Sequence, residues 1–123
     1  MRLKLIRGRN YSKHFDVYKD ENGKPYLKNS KRHISVTHFD GWTLVATSNK
    51  PIGIDVERIR KIDDALWGYL NIKKSNRFSF FKEWTKREAY IKRKNLKLGD
   101  IVKYYDSKGF TLFLYPYVIS IST

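Results

Sequence analysis

Two acidic residues on one predicted strand are the first candidates for chemistry. Asp55 and Glu57 alternate with apolar residues in the stretch 52–57. Because side chains i and i+2 of a strand point to the same face, the two carboxylates are expected about 7 Å apart on one side of the strand. Carboxylate oxygens without thiolates favour a hard cation such as Mg²⁺. The alternative is a solvated strand face on which salt bridges form with Arg58 or Arg60.

A third carboxylate interrupts the apolar face of a predicted helix. The helix runs from about Phe78 to Lys94, and Glu88 lies seven residues after Phe81 and four after Trp84. Helical spacing therefore places Glu88 where an apolar side chain is expected, so its carboxylate must be paired, protonated or bound to a cation. Lys92 follows at i+4, and the alternative is an ordinary Glu-Lys helix pair.

Two further segments carry candidate anion-binding residues. Lys24 lies in a turn between Gly23 and Pro25, and a lysine on a rigid turn can meet an anion. His38 follows Thr37 near the end of a predicted strand. In both segments a purely structural role is the alternative.

The surrounding pattern predicts an α+β protein with a single domain covering residues 1–123. Strand periodicity between residues 34 and 57, with a hairpin signal at Asp40-Gly41, predicts a three-stranded antiparallel meander. We expect an antiparallel sheet packed against two or three helices. The other predicted elements are strands near 14–18, 101–105, 110–115 and 117–122, and a short helix capped by Asp63 or Asp64.

Composition limits the functional classes. The chain has 123 residues, a formal charge of +14 and no cysteine, which excludes disulfides, thiolate zinc sites and a cysteine nucleophile. No apolar run approaches the roughly 20 residues of a membrane span, so we expect a cytoplasmic protein without a membrane partner. Residues 34–57 carry a net charge of −2, whereas residues 1–33 and 58–97 carry +7 and +9. Charge and aromatic content alone leave a nucleic-acid-binding module as an alternative.

Read in order, the candidate residues form a series of motifs that resembles a known family. The series is similar to that of the 4′-phosphopantetheinyl transferases, specifically the type that activates surfactin synthetase, in a chain of about half their length. The motifs that carry the resemblance are Gly23-Lys24-Pro25, Ile34-Ser35-Val36-Thr37-His38, Ile52-Gly53-Ile54-Asp55-Val56-Glu57 and Trp84-Thr85-Lys86-Arg87-Glu88-Ala89-Tyr90-Ile91-Lys92.

The resemblance implies an activity and a set of catalytic residues. The family transfers the phosphopantetheine arm of coenzyme A to a serine of an acyl or peptidyl carrier protein, with Mg²⁺, and releases 3′,5′-ADP. It implies that Asp55, Glu57 and Glu88 hold the metal against the pyrophosphate. Glu88 is also the implied base for the carrier serine, and Lys92 the implied contact to the phosphates.

The resemblance also implies how coenzyme A is bound. Lys24 and Pro25 would lie along the nucleotide, and Thr37 and His38 would contact a phosphate of coenzyme A. The family's basic residues for the coenzyme A 3′-phosphate have no motif match here, but Arg7, Arg9 and Lys13 have suitable chemistry. These three cations are able to substitute for them.

Partners follow from the same resemblance. We expect an acidic carrier protein, coenzyme A and no specific nucleic acid. Short relatives of the family are trimers with sites between subunits, so the half-length chain predicts a homo-oligomer. The alternatives are a family remnant with reduced or lost activity, and a basic module that binds nucleic acid or an acidic protein.

Overall fold

A computed structural model describes residues 1–97, 100–101 and 109–123 and has the α+β composition predicted from the sequence. A one-turn 3₁₀-helix, Tyr11–Lys13, follows the first strand, and the predicted strand near 101–105 lies almost entirely outside the described residues. The other elements in chain order are β1 (Arg2–Arg7), β2 (Val17–Lys19), β3 (Pro25–Leu27), β4 (His33–Phe39), β5 (Trp42–Ser48), β6 (Gly53–Arg58), α1 (Asp64–Leu70), α2 (Arg77–Lys94), β7 (Phe110–Leu114) and β8 (Tyr117–Ser122).

The first sheet has the strand order β1-β5-β4 and is antiparallel. The predicted hairpin between β4 and β5 is confirmed: Asp40 and Gly41 have φ of 45° and 81°, the left-handed values that a two-residue turn of this kind requires. Strand β1, which the sequence pattern did not predict, pairs with β5 from Trp42 to Thr47. The predicted strand near 14–18 is short and begins later, at Val17.

The predicted meander of three strands is wrong at its third strand. Strand β6 belongs to a second antiparallel sheet of order β6-β8-β7 and does not pair with β5. The edge of β6 that does not pair with β8 lies beside β4. Between these two strands, hydrogen bonds run from the backbone of β6 to side chains of β4 and not from backbone to backbone. The backbone N–H groups of Ile54 and Val56 donate to the hydroxyls of Ser35 and Thr37, at 3.0 and 3.4 Å. The two sheets are therefore joined through hydroxyl groups.

Both predicted helices are confirmed. Helix α1 follows Asp63, and α2 begins after Asn76, whose side chain accepts a hydrogen bond from the backbone N–H of Ser79 at 2.9 Å. Helix α2 packs closely on β6. A Cβ on Gly53 would lie 1.8 Å from the carbonyl oxygen of Ala89, so only glycine permits this approach.

The buried apolar residues form three clusters: one around α1 and α2, one between the two larger sheets, and one beneath the first sheet. The second cluster packs the apolar face of β6 against β5 and β8, which leaves the opposite face of β6 toward α2. Among the described residues, no helix combines the length and apolarity that a membrane crossing needs.

Candidate active site

A cavity of about 530 Å³ lies where β4, β6 and α2 meet the N-terminal segment. Nearly all the candidate residues from the sequence line this one space. They are Pro25, Thr37, His38, Asp55, Glu57, Glu88 and Lys92. Lys24 lines an adjoining cavity of about 230 Å³, which shares Gly23, Pro25, Val36 and Lys92 with the larger one. The structure thus brings residues from four separate motifs together.

Asp55 is the most constrained acid of the cavity. Its side chain is 9% exposed, so the predicted alternative of a solvated, salt-bridged strand face is wrong for this residue. Its Oδ1 accepts from the Thr37 hydroxyl at 3.3 Å, while its Oδ2 is buried without a hydrogen-bond partner. Burial raises the pKa of Asp55 to about 7 against the opposing charge of Lys92, and Glu57 and Glu88 add smaller contributions in the same direction as burial.

Lys92 links the two sheets from the last turn of α2. Its Nζ donates to the carbonyl oxygens of Val36 and Ile54, at 3.1 and 3.0 Å, and to Asp55 Oδ1 at 3.4 Å. The expected i, i+4 ion pair with Glu88 is absent among the described residues, because the ammonium group points across to β4 and β6. Lys92 therefore uses three donors to hold the acidic strand beside β4.

Glu57 and Glu88 complete the acidic wall. Glu57 forms an ion pair with Arg60 at 3.0 Å, which agrees with the salt-bridge alternative for this residue. Glu88 is half-buried and, within the described residues, has neither an ion pair nor a hydrogen bond through its carboxylate. Burial is the main cause that raises the pKa of Glu88, with Glu57 adding to it and Lys92 opposing it. A carboxylate in this state is suited to accept a proton.

The acidic wall has the chemistry of a Mg²⁺ site without forming a closed set of ligands. In the parts of the chain that the structure describes, no three His, Asp or Glu side chains are grouped tightly enough to hold one ion. Nevertheless, Asp55 Oδ2 is a buried oxygen without a partner, and Glu57 and Glu88 both act electrostatically on Asp55. An all-oxygen donor set with an unsatisfied carboxylate fits a hard cation. Metal binding by Asp55, Glu57 and Glu88 stays a prediction.

His38 also lines the cavity, and two linked hydrogen bonds hold its ring in place. The hydroxyl of Thr43 donates to the carbonyl oxygen of Gly8, so its oxygen accepts from His38 Nδ1 at 2.7 Å. This arrangement fixes Nδ1 as the protonated nitrogen and leaves Nε2 for another partner. Burial and the nearby cations Arg9, Lys92 and Lys19 lower the pKa of His38.

The turn that carries Lys24 is tied to the end of α2. Asp20 accepts from the backbone N–H of Lys24 at 2.9 Å and from the side chain of Asn95, the residue that ends α2, at 2.8 Å. Desolvation alone would raise the pKa of Asp20, but the hydrogen bonds that its carboxylate accepts outweigh desolvation and lower this pKa. The Lys24 ammonium donates to the carbonyl oxygens of Lys92 and Arg93, which belong to the last turn of α2.

Four lining residues were not predicted as functional from the motifs. Trp84 begins the helix motif and was placed on the apolar helix face, without a role in the site. Tyr11 and Lys19 were not singled out, and Arg9 was named only as a basic residue of suitable chemistry. All four line the larger cavity. Tyr11 is buried with its ring centroid 6.1 Å from that of His38. Apart from charge, no local sequence signal marks Arg9 or Lys19, because they reach the cavity through the tertiary fold.

The fold and the site define an α+β protein in which two strand carboxylates, one helix glutamate and several basic residues line one cavity. No protein-family model matches the chain. It is similar to the 4′-phosphopantetheinyl transferase gsp of Aneurinibacillus migulanus, with 38% identity over 85 residues that cover 60% of this chain and 35% of the relative. It is also similar to the 4′-phosphopantetheinyl transferase psf-1 of Bacillus pumilus, with 31% identity over 83 residues that cover 58% and 36%.

These similarities confirm the resemblance to the 4′-phosphopantetheinyl transferase superfamily that the motifs indicate. The match spans about a third of the length of these curated relatives.

Proposed function

We propose that the chain transfers the 4′-phosphopantetheine group of coenzyme A to a serine hydroxyl of an acyl or peptidyl carrier protein. One observation carries the proposal: three carboxylates from two distant motifs line one cavity together with Lys92. The similarity to two named 4′-phosphopantetheinyl transferases supports the same activity. Phosphoryl-type transfer depends mainly on positioning and on neutralising phosphate charge, and this cavity has residues suited to both tasks.

The proposed step is one displacement at phosphorus. The carrier serine oxygen attacks the phosphorus that bears pantetheine, and the bond from this phosphorus to the bridging oxygen of the pyrophosphate breaks. The bond that forms joins the serine to phosphopantetheine, and 3′,5′-ADP leaves with the electron pair. Glu88 accepts the serine proton, a role supported by its half-buried, unpaired carboxylate and its raised pKa.

Asp55, Glu57 and Glu88 would hold Mg²⁺. When bound, Mg²⁺ would neutralise charge on the pyrophosphate oxygens. The partnerless Asp55 Oδ2 supports this assignment, and so does the all-oxygen donor set. Lys92 would keep Asp55 in position and add positive charge beside the phosphates.

Coenzyme A would lie along the cationic side of the cavity. Thr37 and His38 would contact its phosphate groups, and the turn with Lys24 and Pro25 would lie along the nucleotide. The position of Pro25 in both adjoining cavities supports this path. An acidic carrier protein is the proposed second substrate, because a chain with a formal charge of +14 attracts an acidic partner.

Intact-mass analysis tests the proposed activity. An apo carrier protein incubated with coenzyme A, Mg²⁺ and this chain is expected to gain the mass of one phosphopantetheine group. Loss of a general base typically lowers a rate about 10²–10⁴-fold, so Glu88→Gln is expected to slow the transfer by that order. Glu21→Gln, an exposed acid outside the cavity, is the matched control. No mass gain with several apo carriers would refute the proposal.

We also propose that the chain forms a homo-oligomer through an apolar surface between its two larger sheets. A cavity of about 300 Å³ opens there, lined almost entirely by apolar side chains. Leu5 on edge strand β1 and Leu114 on edge strand β7 line it and are 55% and 61% exposed. Two copies of a chain of formal charge +14 repel each other, and burial of an apolar surface such as this one is what could offset that repulsion. A second copy is therefore the occupant we assign to it.

Sedimentation velocity tests this association. The unmodified chain is expected to sediment as an oligomer at micromolar concentration, and Leu5→Glu or Leu114→Glu is expected to shift it to the monomer. Leu66→Glu changes an exposed leucine on α1 and should leave the oligomer intact. A monomer at all concentrations, or dissociation by Leu66→Glu alone, would refute the assigned surface.

A further inference from the structure

Asp20 lies in the turn between β2 and β3, and both of its carboxylate oxygens accept hydrogen bonds. Oδ1 accepts from the backbone N–H groups of Asn22 and Lys24, both at 2.9 Å. Oδ2 accepts from the Tyr26 hydroxyl at 3.2 Å and from Asn95 Nδ2 at 2.8 Å. The two oxygens therefore differ in what they hold: Oδ1 shapes the turn, and Oδ2 binds residues outside it.

The turn itself is closed by local interactions. Aspartate side chains commonly accept from backbone N–H groups a few residues later, as Oδ1 does here. The Asp20 N–H also donates to the Lys24 carbonyl, and the Gly23 N–H donates to the Asp20 carbonyl, both at 3.0 Å. Gly23 has φ of 81°, which glycine adopts at little cost. The shape of the turn is therefore set without Oδ2.

The hydrogen bond through Oδ2 joins residues that are distant in sequence. Asn95 is the residue at which α2 ends, three residues after Lys92. Asp20 thereby connects the turn to the helix that carries Glu88 and Lys92. The Lys24 ammonium also reaches the last turn of α2. In contrast to Lys24, however, Asp20 lines neither the larger nor the adjoining cavity, so its contact with α2 is made away from the space for a ligand.

The two elements that Asp20 connects carry different parts of the proposed site. The turn carries Lys24 and Pro25, which we propose to lie along the nucleotide, and α2 carries Glu88, the proposed base. Coenzyme A would contact both elements, so the position of the turn relative to α2 determines where the reacting phosphorus lies relative to the Glu88 carboxylate. A displacement of about 1 Å, even one caused far from the reacting atoms, lowers a rate by up to about 10²-fold.

We propose that Asp20 is a positioning residue: through Asn95 it holds the turn against the end of α2 and so fixes bound coenzyme A relative to Glu88. This role rests on the proposed function. Loss of the hydrogen bond leaves the turn and α2 each with their own contacts to coenzyme A, so the affinity for coenzyme A changes little. The alignment of phosphorus and base becomes less exact, so kcat falls.

Exchange of donor and acceptor tests this role. Asp20→Asn has one side-chain oxygen, which cannot accept both for the turn and from Asn95. Asn95→Asp places two carboxylates against each other, and aspartate tolerates the left-handed φ of 56° at this position. The double variant Asp20→Asn/Asn95→Asp again pairs one donor with one acceptor. Glu21→Gln, which neutralises an exposed acid of the same turn, is the matched control.

Steady-state transfer kinetics with varied coenzyme A and saturating carrier protein give kcat, and calorimetry gives the Kd of coenzyme A. Each single variant is expected to lower kcat about tenfold and to change this Kd less than about threefold. The double variant is expected to recover kcat to within about threefold of the unmodified protein, because the hydrogen bond is restored. Glu21→Gln should keep both values. Urea denaturation checks that each variant is folded under the assay conditions.

Three results would each overturn the role of Asp20 while the proposed function stands: single variants with unmodified kcat, a double variant that loses as much as both single variants together, or a raised Kd at unchanged kcat. If a single variant is unfolded, Asn95→Gly removes the same hydrogen bond and suits the left-handed backbone, and unmodified kcat in Asn95→Gly would again overturn the role. If the unmodified protein transfers no phosphopantetheine, the proposed function and this role both fail.

Discussion

At the scale of single residues, the site depends on one buried carboxylate. The i, i+2 spacing predicted that Asp55 and Glu57 share a face, and the cavity contains both. The spacing did not predict that Asp55 is buried whereas Glu57 reaches Arg60, because that difference comes from β4 and α2, which cover only the first of them. Similarly, i, i+4 spacing paired Lys92 with Glu88, but Lys92 is directed to Asp55 by two carbonyl oxygens that lie beside it only in the folded chain.

Burial of Asp55 predicts an unusual dependence of stability on pH. The pKa of its carboxyl is about 7 in the folded chain and 3.8 in the unfolded chain, so the folded state binds the extra proton between these values. The contribution of Asp55 to the free energy of unfolding therefore falls as the pH rises from about 4 to about 7. With EDTA present, Asp55→Asn is expected to raise the melting temperature at pH 8 and to change it little at pH 4.

Comparison of the two pH values separates Asp55 from other carboxyls. Hydrogen bonds from Tyr117 and Arg58, together with the charge of Arg58, lower the pKa of Asp40. Asp40 therefore contributes to stability in the opposite direction, and its contribution is the same in the unmodified protein and in Asp55→Asn. Equal melting shifts for Asp55→Asn at pH 4 and pH 8 would contradict the raised pKa. Added Mg²⁺ should reduce the difference in stability, since a bound cation compensates the ionised carboxylate.

At the scale of elements, the site is made by the contact between β6 and α2. Sequence periodicity predicted both elements, but not that β6 would leave the first sheet and pair with β8. The place of β6 among the strands depends on contacts with residues distant in sequence, here the hydroxyls of Ser35 and Thr37. The alternation of apolar and polar residues within β6 carries no information about these contacts. The same limit applies to β1, in which exposed Leu3 and Leu5 alternate with basic residues and only Ile6 is buried.

Substitution of Gly53 tests the contact between β6 and α2. A Cβ at Gly53 would lie 1.8 Å from the carbonyl oxygen of Ala89, which is helix backbone and cannot rotate away. Gly53→Ala is therefore expected to lower the free energy of unfolding by about 1–3 kcal/mol or more. The same shift would separate Glu88 and Lys92 from Asp55, so transferase activity should fall more than stability alone explains. Urea denaturation and the mass assay measure the two effects.

Gly68→Ala is the matched control for this substitution. Gly68 lies within α1, and no heavy atom lies within 4 Å of the position of an added Cβ. Alanine is favoured over glycine inside a helix by about 0.5–1 kcal/mol, so this variant should be slightly more stable. If Gly53→Ala is as stable as Gly68→Ala, the close approach of β6 and α2 is wrong.

At the scale of the whole molecule, the structure shows where the acidic and basic residues lie around the main cavity, which the net charge alone does not. A formal charge of +14 is compatible with a nucleic-acid-binding module, but the main cavity has an acidic wall as well as a cationic one. A groove that follows a nucleic-acid backbone gains nothing from the carboxylates of Asp55, Glu57 and Glu88, because they repel its phosphates. The acidic wall therefore argues against a main cavity that follows the backbone of RNA or DNA.

Salt dependence distinguishes these partners. A basic chain binds nucleic acid at low salt by releasing counterions, and with six to ten phosphate contacts its affinity is expected to fall about 10³–10⁵-fold between 50 and 200 mM salt. Coenzyme A makes fewer charged contacts, so its affinity should fall far less over the same range. Fluorescence anisotropy with a labelled oligonucleotide and calorimetry with coenzyme A measure the two slopes. Tight oligonucleotide binding that persists at 200 mM salt, with no binding of coenzyme A, would favour the nucleic-acid module, because only specific contacts survive such screening.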